Sequence, residues 1–329
     1  MSVFGWRAAA LAAAVCGAGG AFGEAELPAN GDFERGAEKA PRGWMLSGGV
    51  GAWLRDAGAD GSACVSVTGD GTAANAWQTA EPIEFLPQHV YRLSFLVRGE
   101  GTAGGTAICG PSFANVDIGV PGPAWAQESH VFAAPARKDL LAAPLRLGQW
   151  QMKGTVFFDA VRLVPVEPIH AASGELVLGE GERLDGGRYF FRAPFGSECH
   201  NQSRPLFYHT ASYNTDRWCF GEGGTVAYRH ALEGRKFLSG AVTLDCGYYV
   251  AGRLMLEVSP DGKEWQHLGA LTNAGALTLA LPEALFPAES VYVRMRGAKE
   301  ACNLQIHGYS FDGTTDGEPV SFAGSTRFL

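Results

Sequence analysis

The most chemically varied stretch of the chain lies between residues 195 and 236. Aromatic, arginine, histidine and asparagine side chains concentrate there, as they do in binding loops. The candidate ligand-binding residues of this stretch are Arg204, Tyr208, His209, Asn214, Arg217 and Trp218. The alternative is a structural excursion braced by a disulfide, and the residue types alone leave both interpretations open.

Residues that could catalyse hydrolysis are present, but no motif organises them. A glycosidase needs two carboxylates that flank its substrate, and an acyl hydrolase needs a Ser, His and acidic set. The acidic and histidine residues in question are Glu198, His209, Asp216, His230 and Asp245. Because no nucleophile-elbow, metalloprotease or phosphate-loop motif occurs, we predict that the protein is not an enzyme. A cryptic glycoside-active enzyme is kept as an alternative.

Composition sets the fold class and excludes one class of partner. The chain has 329 residues, which is long enough for two domains, and 46% of them are hydrophobic. The 45 Gly and 17 Pro supply many turns, which favours short strands and an all-β fold. A net charge of -8 argues against nucleic acid, which is bound through clustered Lys and Arg.

The N-terminus has the form of an export signal. Arg7 is followed by the apolar run Ala8 to Val15 and by small residues that end at Gly23. We therefore predict a signal peptide over residues 1–23 and a secreted, periplasmic or cell-surface location. The run is too short and too rich in glycine to span a bilayer, so no integral membrane span is expected. A lipid anchor on Cys16 is the alternative.

Removal of residues 1–23 would leave six cysteines, an even number that permits disulfides in an exported protein. The simplest pairing joins Cys64 to Cys109 in the first half. In the second half, Cys199 would pair with Cys219 and Cys246 with Cys302. Zinc binding is the rival interpretation, but no Cys-x-x-Cys pair is present, and the nearest approach is Glu198-Cys199-His200 with His209 and Cys219.

Alternating segments predict the strands. In Tyr91 to Arg98, apolar residues occupy every second position, which predicts a half-buried strand whose other face carries Arg92 and Arg98. In the second half, Leu254 to Ser259 alternates before Pro260-Asp261-Gly262-Lys263, which predicts a hairpin. Prolines near residues 165–168 predict the linker between modules 24–167 and 168–329.

The first module resembles carbohydrate-binding modules that accompany xylanases and glucanases. The features that carry the resemblance, in order, are Asn30-Gly31-Asp32-Phe33-Glu34, Gly43-Trp44, Tyr91 to Arg98, Trp125 and Phe158 to Leu163. They cover residues 26–167 and imply a jelly-roll β-sandwich of the galactose-binding-like class.

This resemblance implies a structural calcium ion where the two ends of the module meet, held by hard oxygen ligands. Glu34 and Asp159 occupy the matching positions, and Asn30 or Asp32 would add an oxygen. The alternative is that Asp159 only caps the closing strand.

The resemblance also implies a glycan ligand. Sugar binding requires an aromatic platform for the apolar pyranose face and polar side chains for the hydroxyls. The candidate platforms are Trp53, Trp77, Phe113 and Trp150, and the candidate hydrogen-bonding residues are Gln78, Arg92 and Arg98. Trp44 and Trp125 match positions that usually pack in the core. Core packing is also the alternative for each candidate platform.

The second module resembles discoidin and coagulation-factor type C domains. The resemblance is carried by Glu257 to Trp265, Leu268-Gly269 and Val291 to Arg296, and it implies a second galactose-binding-like sandwich. It covers only residues 238–311, and the 187–236 stretch departs from it. No ligand loop can therefore be transferred from that family.

Together these features predict a non-catalytic, secreted glycan- or polysaccharide-binding protein. The alternative is a structural or adhesive cell-surface protein whose sandwiches bind protein. Gly317 to Val320 and Gly324 to Leu329 echo Gly174 to Val177 and the strand after it, which leaves room for a further C-terminal domain.

Overall fold

The structure is a computed structural model that describes residues 28–196, 201–298 and 301–329. These residues form two β-sandwich modules in tandem, with short 3₁₀ turns and no α-helix among them. None of the described residues belongs to a helix long and apolar enough to cross a membrane. The predicted signal peptide and the segment Glu198-Cys199-His200 lie outside the described residues.

The first module is built from fourteen strands. They are β1 Gly36–Ala37, β2 Ala40–Pro41, β3 Trp44–Ser47, β4 Val50–Leu54, β5 Cys64–Asp70, β6 Ala74–Thr79, β7 Ile83–Glu84, β8 Val90–Ala103, β9 Thr106–Pro111, β10 Ala114–Gly119, β11 Ala126–Ala133, β12 Ala142–Ala143, β13 Leu145–Trp150 and β14 Lys153–Pro165. Two five-stranded layers, β3-β6-β13-β9-β10 and β11-β8-β14-β5-β4, enclose a core of aliphatic and aromatic side chains.

The strand predicted over Tyr91 to Arg98 is confirmed within β8. Tyr91, Leu93, Phe95 and Val97 are buried in the core. The intervening residues are half-buried on the opposite face. The period of two in the sequence therefore sets which face of this strand meets the core.

The second module is built from sixteen further strands. They are β15 Pro168–Ser173, β16 Leu176–Leu178, β17 Glu182–Asp185, β18 Arg188–Arg192, β19 Leu206–His209, β20 Ser212–Asn214, β21 Arg217–Phe220, β22 Thr225–Ala231, β23 Phe237–Ala251, β24 Leu254–Ser259, β25 Gln266–Leu271, β26 Gly275–Ala280, β27 Ser290–Gly297, β28 Asn303–Thr315, β29 Ser321–Ala323 and β30 Thr326–Phe328.

One layer of the second module is β19-β22-β27-β24-β25, and the other is centred on the long strand β28. The predicted hairpin is confirmed, because β24 pairs with β25 across a turn in which Gly262 has a φ of 72°. The carboxylate of Asp261 accepts the backbone N–H of Lys263 at 2.8 Å, which closes that turn.

The two modules share one continuous sheet. Strand β10 of the first pairs in parallel with β20 of the second, with Ala114 opposite Tyr213 and Asn115 opposite Asn214. The last strand, β30, pairs with β15, and Phe328 packs beside Val90 of the first module. The segment after residue 317 pairs with β17 and β15 of the second module through β29 and β30.

Two of the predicted disulfides are wrong, because Cys64, Cys109, Cys246 and Cys302 are free thiols. Strand β5, which begins at Cys64, packs across the core from β6 and β13, whereas Cys109 lies on β9. Burial, with the charge of Asp159, raises the pKa of Cys64 to about 12, so this thiol stays protonated.

In the second module, Cys246 lies opposite Ile306 of β28. Cys302 directly precedes β28 and lies four positions before Ile306. Four residues of strand cover roughly 13 Å, which exceeds the reach of a disulfide. The third predicted pairing, Cys199 with Cys219, includes a residue outside the described ranges.

Candidate functional site

The outward face of the shared sheet carries a row of polar side chains. In β6 and β13 the residues alternate, so Trp77 and Leu147 point into the core while Gln78 and Arg146 point outward. The register places Arg146 opposite both Gln78 and Gly110. The side chains of Asn115, Asn214 and Arg217 continue this line across β10, β20 and β21.

We call these five side chains, Gln78, Arg146, Asn115, Asn214 and Arg217, the polar row. The strands from β6 to β21 lie in the order β6-β13-β9-β10-β20-β21. At a strand spacing of about 4.8 Å, the row extends for roughly 24 Å. It therefore crosses from the first module to the second without a break in the sheet.

Hydrogen bonds connect neighbouring members of the row. The Arg146 guanidinium donates to the Asn115 side-chain oxygen at 3.2 Å. The Asn115 amide nitrogen donates in turn to Asn214 at 3.2 Å and to Asp117 at 3.1 Å. Arg217 pairs with Asp216 at 2.8 Å and lies 3.6 Å from the Asp117 carboxylate. The side chains are thus held in place before any ligand arrives.

Arg146 is only partly satisfied by these contacts. Its Nε is buried and has no hydrogen-bond partner among the described residues. Burial lowers the pKa of the Arg146 guanidinium, which reflects the cost of holding its positive charge partly out of water. Among the described residues it forms no ion pair, so its positive charge remains without a compensating anion.

Small residues and an exposed tryptophan lie beside the polar row. Gly148 follows Arg146 on the outward face, and a Cβ there would lie 2.5 Å from the Cβ of Ala76. Trp150 comes next on the same face of β13, and 51% of its surface is exposed. Trp150 lies four positions after Arg146, which is about 13 Å along the strand. The outward face of β13 therefore has a polar end at Arg146 and an aromatic end at Trp150, and we call the surface between them the floor.

The other predicted binding aromatics of the first module lie away from this face. Trp77 and Phe113 are buried in the core, and the Trp77 indole N–H donates to the Ser66 carbonyl at 2.9 Å. Trp53 is on the opposite layer, where its indole N–H donates to the Phe33 carbonyl at 2.9 Å and Arg55 covers its ring. The alternative for each of these aromatics was packing in the core, and Trp77 and Phe113 are packed there.

The two predicted arginines of β8 make contacts within the protein. Arg92 donates to the Phe328 carbonyl at 3.0 Å and so ties the last strand to the first module. Arg98 pairs with Glu100 and lies 3.8 Å from the Phe157 ring centroid. Both therefore stabilise the outer side of the opposite layer.

Arg204, predicted as a ligand contact, forms a buried ion pair. It bonds both oxygens of Glu182, a side chain with no exposed surface, and the Tyr189 hydroxyl donates to the same carboxylate at 2.7 Å. Burial alone would lower the pKa of Arg204, but its bonds to Glu182 outweigh that effect and raise it. This cluster also borders His230, whose pKa is lowered well below its usual value by burial and by the positive charge of Arg204.

The remaining residues of the 195–236 stretch divide between core and site. Trp218 is fully buried and donates to the Tyr228 hydroxyl at 3.0 Å. His209 is buried at the module boundary, with one ring nitrogen 3.1 Å from the Ala133 carbonyl oxygen. Tyr208 is half-buried on β19, beside Phe207. Only Asn214 and Arg217 join the polar row.

Sequence reasoning missed three residues of this site, namely Arg146, Asn115 and Asp117. The alternation in Leu145 to Trp150 could have revealed Arg146, because Leu145 and Leu147 are buried on either side of it. Asn115 and Asp117 lie two residues apart on β10 and show the same pattern around Val116. No local signal indicated that this strand would meet the second module.

The predicted calcium ligands already have partners within the chain. The Asn30 side chain bonds the backbone of Arg35 and Arg42 through both its oxygen and its nitrogen. The Asp159 carboxylate accepts three hydrogen bonds, from Ala59, Ser62 and Ala160.

Glu34 accepts the Ala63 N–H at 2.7 Å, and its charge contributes to a raised pKa of Asp159 whose largest cause is burial. No group of three or more His, Cys, Asp or Glu within the described ranges is placed to hold a metal. Calcium therefore stays a prediction of the resemblance.

Comparison with known proteins gives no sequence match. No protein-family model matches the chain, and no curated protein matches it either. Similar solved structures include the N-terminal tandem domain of two CBM22 modules from Paenibacillus barcinonensis, at 10% identity and a TM-score of 0.35, covering 86% of this chain and 96% of that one.

Two other structures are similar over different lengths. A CBM4 module is 17% identical with a TM-score of 0.31, covering 38% of this chain and 96% of its own. A fucolectin from the serum of striped bass, Morone saxatilis, is 11% identical with a TM-score of 0.24, covering 87% of this chain and 98% of its own. Identities and scores of this size say nothing about what this chain binds.

Proposed function

We propose that this protein binds a glycan or polysaccharide, without catalysis and outside the cytoplasm, on the outward face of the shared sheet. The observation that carries the proposal is the polar row, in which Arg146 bonds the neutral Asn115 oxygen and has no ion-pair partner among the described residues. Trp150, half exposed on the same face, completes the two kinds of contact that a sugar requires.

The chemistry of these groups matches that of a sugar chain. Asn and Gln side chains each offer donors and an acceptor, as a hydroxyl does, and an indole ring packs against the apolar C–H face of a pyranose. Gln78 and Asn115 lie on either side of Arg146, and Trp150 is about 13 Å away along β13. A chain of a few sugars could therefore contact both ends of the floor.

A site that extends for about 13 Å along a strand favours a polymer over a small molecule, which is usually enclosed in a concave pocket. The carboxylates beside the row, Asp117 and Asp216, are both paired with Arg217. Their pairing supports binding over acid-base chemistry.

The test is retention on insoluble polysaccharides together with a glycan array. Trp150→Ala should reduce retention at least tenfold, because loss of an aromatic platform removes about 1.5 kcal/mol or more of contact. Val164→Ala is the matched control, since Val164 is 44% exposed on the opposite layer of the same module. Wild-type protein that is retained by none of a broad set of polysaccharides would contradict the proposal and favour the adhesive alternative.

A further inference from the structure

The two arginines of the polar row, Arg146 and Arg217, differ in whether they contact a carboxylate. Arg217 contacts two carboxylates, Asp216 and Asp117. Among the described residues, the one side chain that Arg146 hydrogen-bonds is Asn115, through its neutral oxygen. A partly buried cation without an anionic partner is costly, and a ligand that supplies the anion recovers this cost on binding.

The surroundings of Arg146 leave room for such an anion. Its neighbour on β9 is Gly110, which has no side chain to cover the guanidinium. On the other side Gln78 is neutral. A planar guanidinium matches a carboxylate in shape and can donate two parallel hydrogen bonds to it.

We propose that the glycan bound on this face carries carboxylate groups, as uronic acids do, and that Arg146 binds one of them. This inference rests on the proposed function and names its substrate class. The amides of Gln78 and Asn115 bind hydroxyls of the neighbouring sugars.

The carboxylates of the ligand are widely spaced along the polymer, with neutral sugars between them. The protein has a net charge of -8, and Asp117 and Asp216 stand close to the row. A polymer with an anion on every sugar would be repelled by these charges. One uronic acid among several neutral sugars satisfies Arg146 without this repulsion.

The test compares polymers that differ only in the carboxylate. The probes are glucuronoxylan, gum arabic and xanthan, each paired with the same polymer after its carboxyl groups have been reduced to alcohols. Affinity electrophoresis should show that the wild-type protein binds at least one acidic probe roughly tenfold tighter than its reduced form, because a hydrogen bond to a charged group contributes that much. The preference should weaken as salt is raised. Heparin, a dense polyanion, should bind more weakly than that probe.

Variants locate the preference at Arg146. Arg146→Gln should lose the roughly tenfold preference for the acidic polymer. Its urea midpoint should stay close to that of the wild type, which shows that the variant is folded. Arg146→Lys keeps the charge and should retain part of the preference. Arg162→Gln is the control, because Arg162 is exposed on the opposite layer of the same module, and it should bind as the wild type does.

The outcomes separate the two proposals. Equal binding of acidic and reduced polymers would overturn the carboxylate while leaving glycan binding intact. A preference that survives Arg146→Gln would overturn the role of Arg146. If heparin bound most tightly of all the probes, the proposal of widely spaced carboxylates would be overturned, and the site would be a general anion site. Binding of no polymer in either form would overturn both proposals.

Discussion

Arg146 in the first module and Arg204 in the second are both partly buried arginines, but their surroundings differ. The Glu182 carboxylate and the Ala231 carbonyl both accept hydrogen bonds from Arg204. Within residues 28–196, 201–298 and 301–329, Arg146 meets one neutral oxygen and keeps a buried donor unused. An arginine that the protein satisfies contributes to holding the fold together, whereas one that it leaves unsatisfied is available for recognition.

The tryptophans show the same contrast. Trp218 has no exposed surface and packs against Tyr213 and His209, while Trp150 is half exposed at the end of β13. Both are aromatic residues that the sequence nominated for binding. Residue type therefore shows which contacts a side chain can make, and burial decides whether it packs in the core or can contact a ligand.

The largest effect should come from Trp218→Ala, which removes a large side chain from the core of the second module. Such truncations cost about 3–5 kcal/mol, so the urea midpoint should fall sharply. Trp150→Ala should leave the midpoint nearly unchanged while it weakens glycan retention. Equal loss of stability in the two variants would break the comparison.

Separating Arg204 from Glu182 should come next. Glu182→Gln leaves the guanidinium partly buried without its anion, which should lower the free energy of unfolding by about 3 kcal/mol or more. Thermal and urea unfolding measure this. Arg146→Gln, which breaks no ion pair, should change stability far less; if it is as damaging as Glu182→Gln, Arg146 is structural.

A smaller effect should appear as pH falls. Burial and the charge of Arg204 lower the pKa of His230 well below its usual value. Below about pH 6.5 the unfolded chain therefore binds a proton that the folded protein does not, and stability falls by about 1.4 kcal/mol per pH unit for this residue.

Urea unfolding between pH 7.5 and 5.5 measures that slope. His230→Asn should reduce the slope of unfolding free energy against pH by about 1.4 kcal/mol per pH unit, which corresponds to one proton. The control is His267→Asn, since His267 is exposed on β25, and it should keep the wild-type slope. A slope that His230→Asn does not change would place the acid sensitivity elsewhere.

The smallest effect is expected from calcium. Hydrogen bonds from the chain occupy both oxygens of Asp159, so adding calcium or a chelator should shift the melting temperature by less than about 1 °C. Differential scanning fluorimetry with millimolar calcium or EDTA measures this shift. A rise of several degrees that Asp159→Asn abolishes would instead establish the calcium site that the resemblance implies.

The strands were largely predictable and the site only in part. The buried face of β8 and the β24–β25 hairpin follow from alternation and from Asp-Gly turn chemistry. Gln78, Trp150, Asn214 and Arg217 were nominated by residue type and lie on the candidate face. Arg204, His209 and Trp218 were nominated for the same reason and are held by partners that only folding brings to them.

The amino-acid sequence by itself determined the all-β class, the inward and outward faces of individual strands, and the supply of groups that could bind a sugar. These are local properties, because the period of a strand depends on neighbours two residues apart. Only the tertiary structure decided that Asn115 meets Asn214 from 99 residues away and that Arg146 bonds a neutral oxygen, with no anion beside it in the described part of the chain. Such pairings depend on which strands the two cores bring edge to edge, and no single segment carries that information.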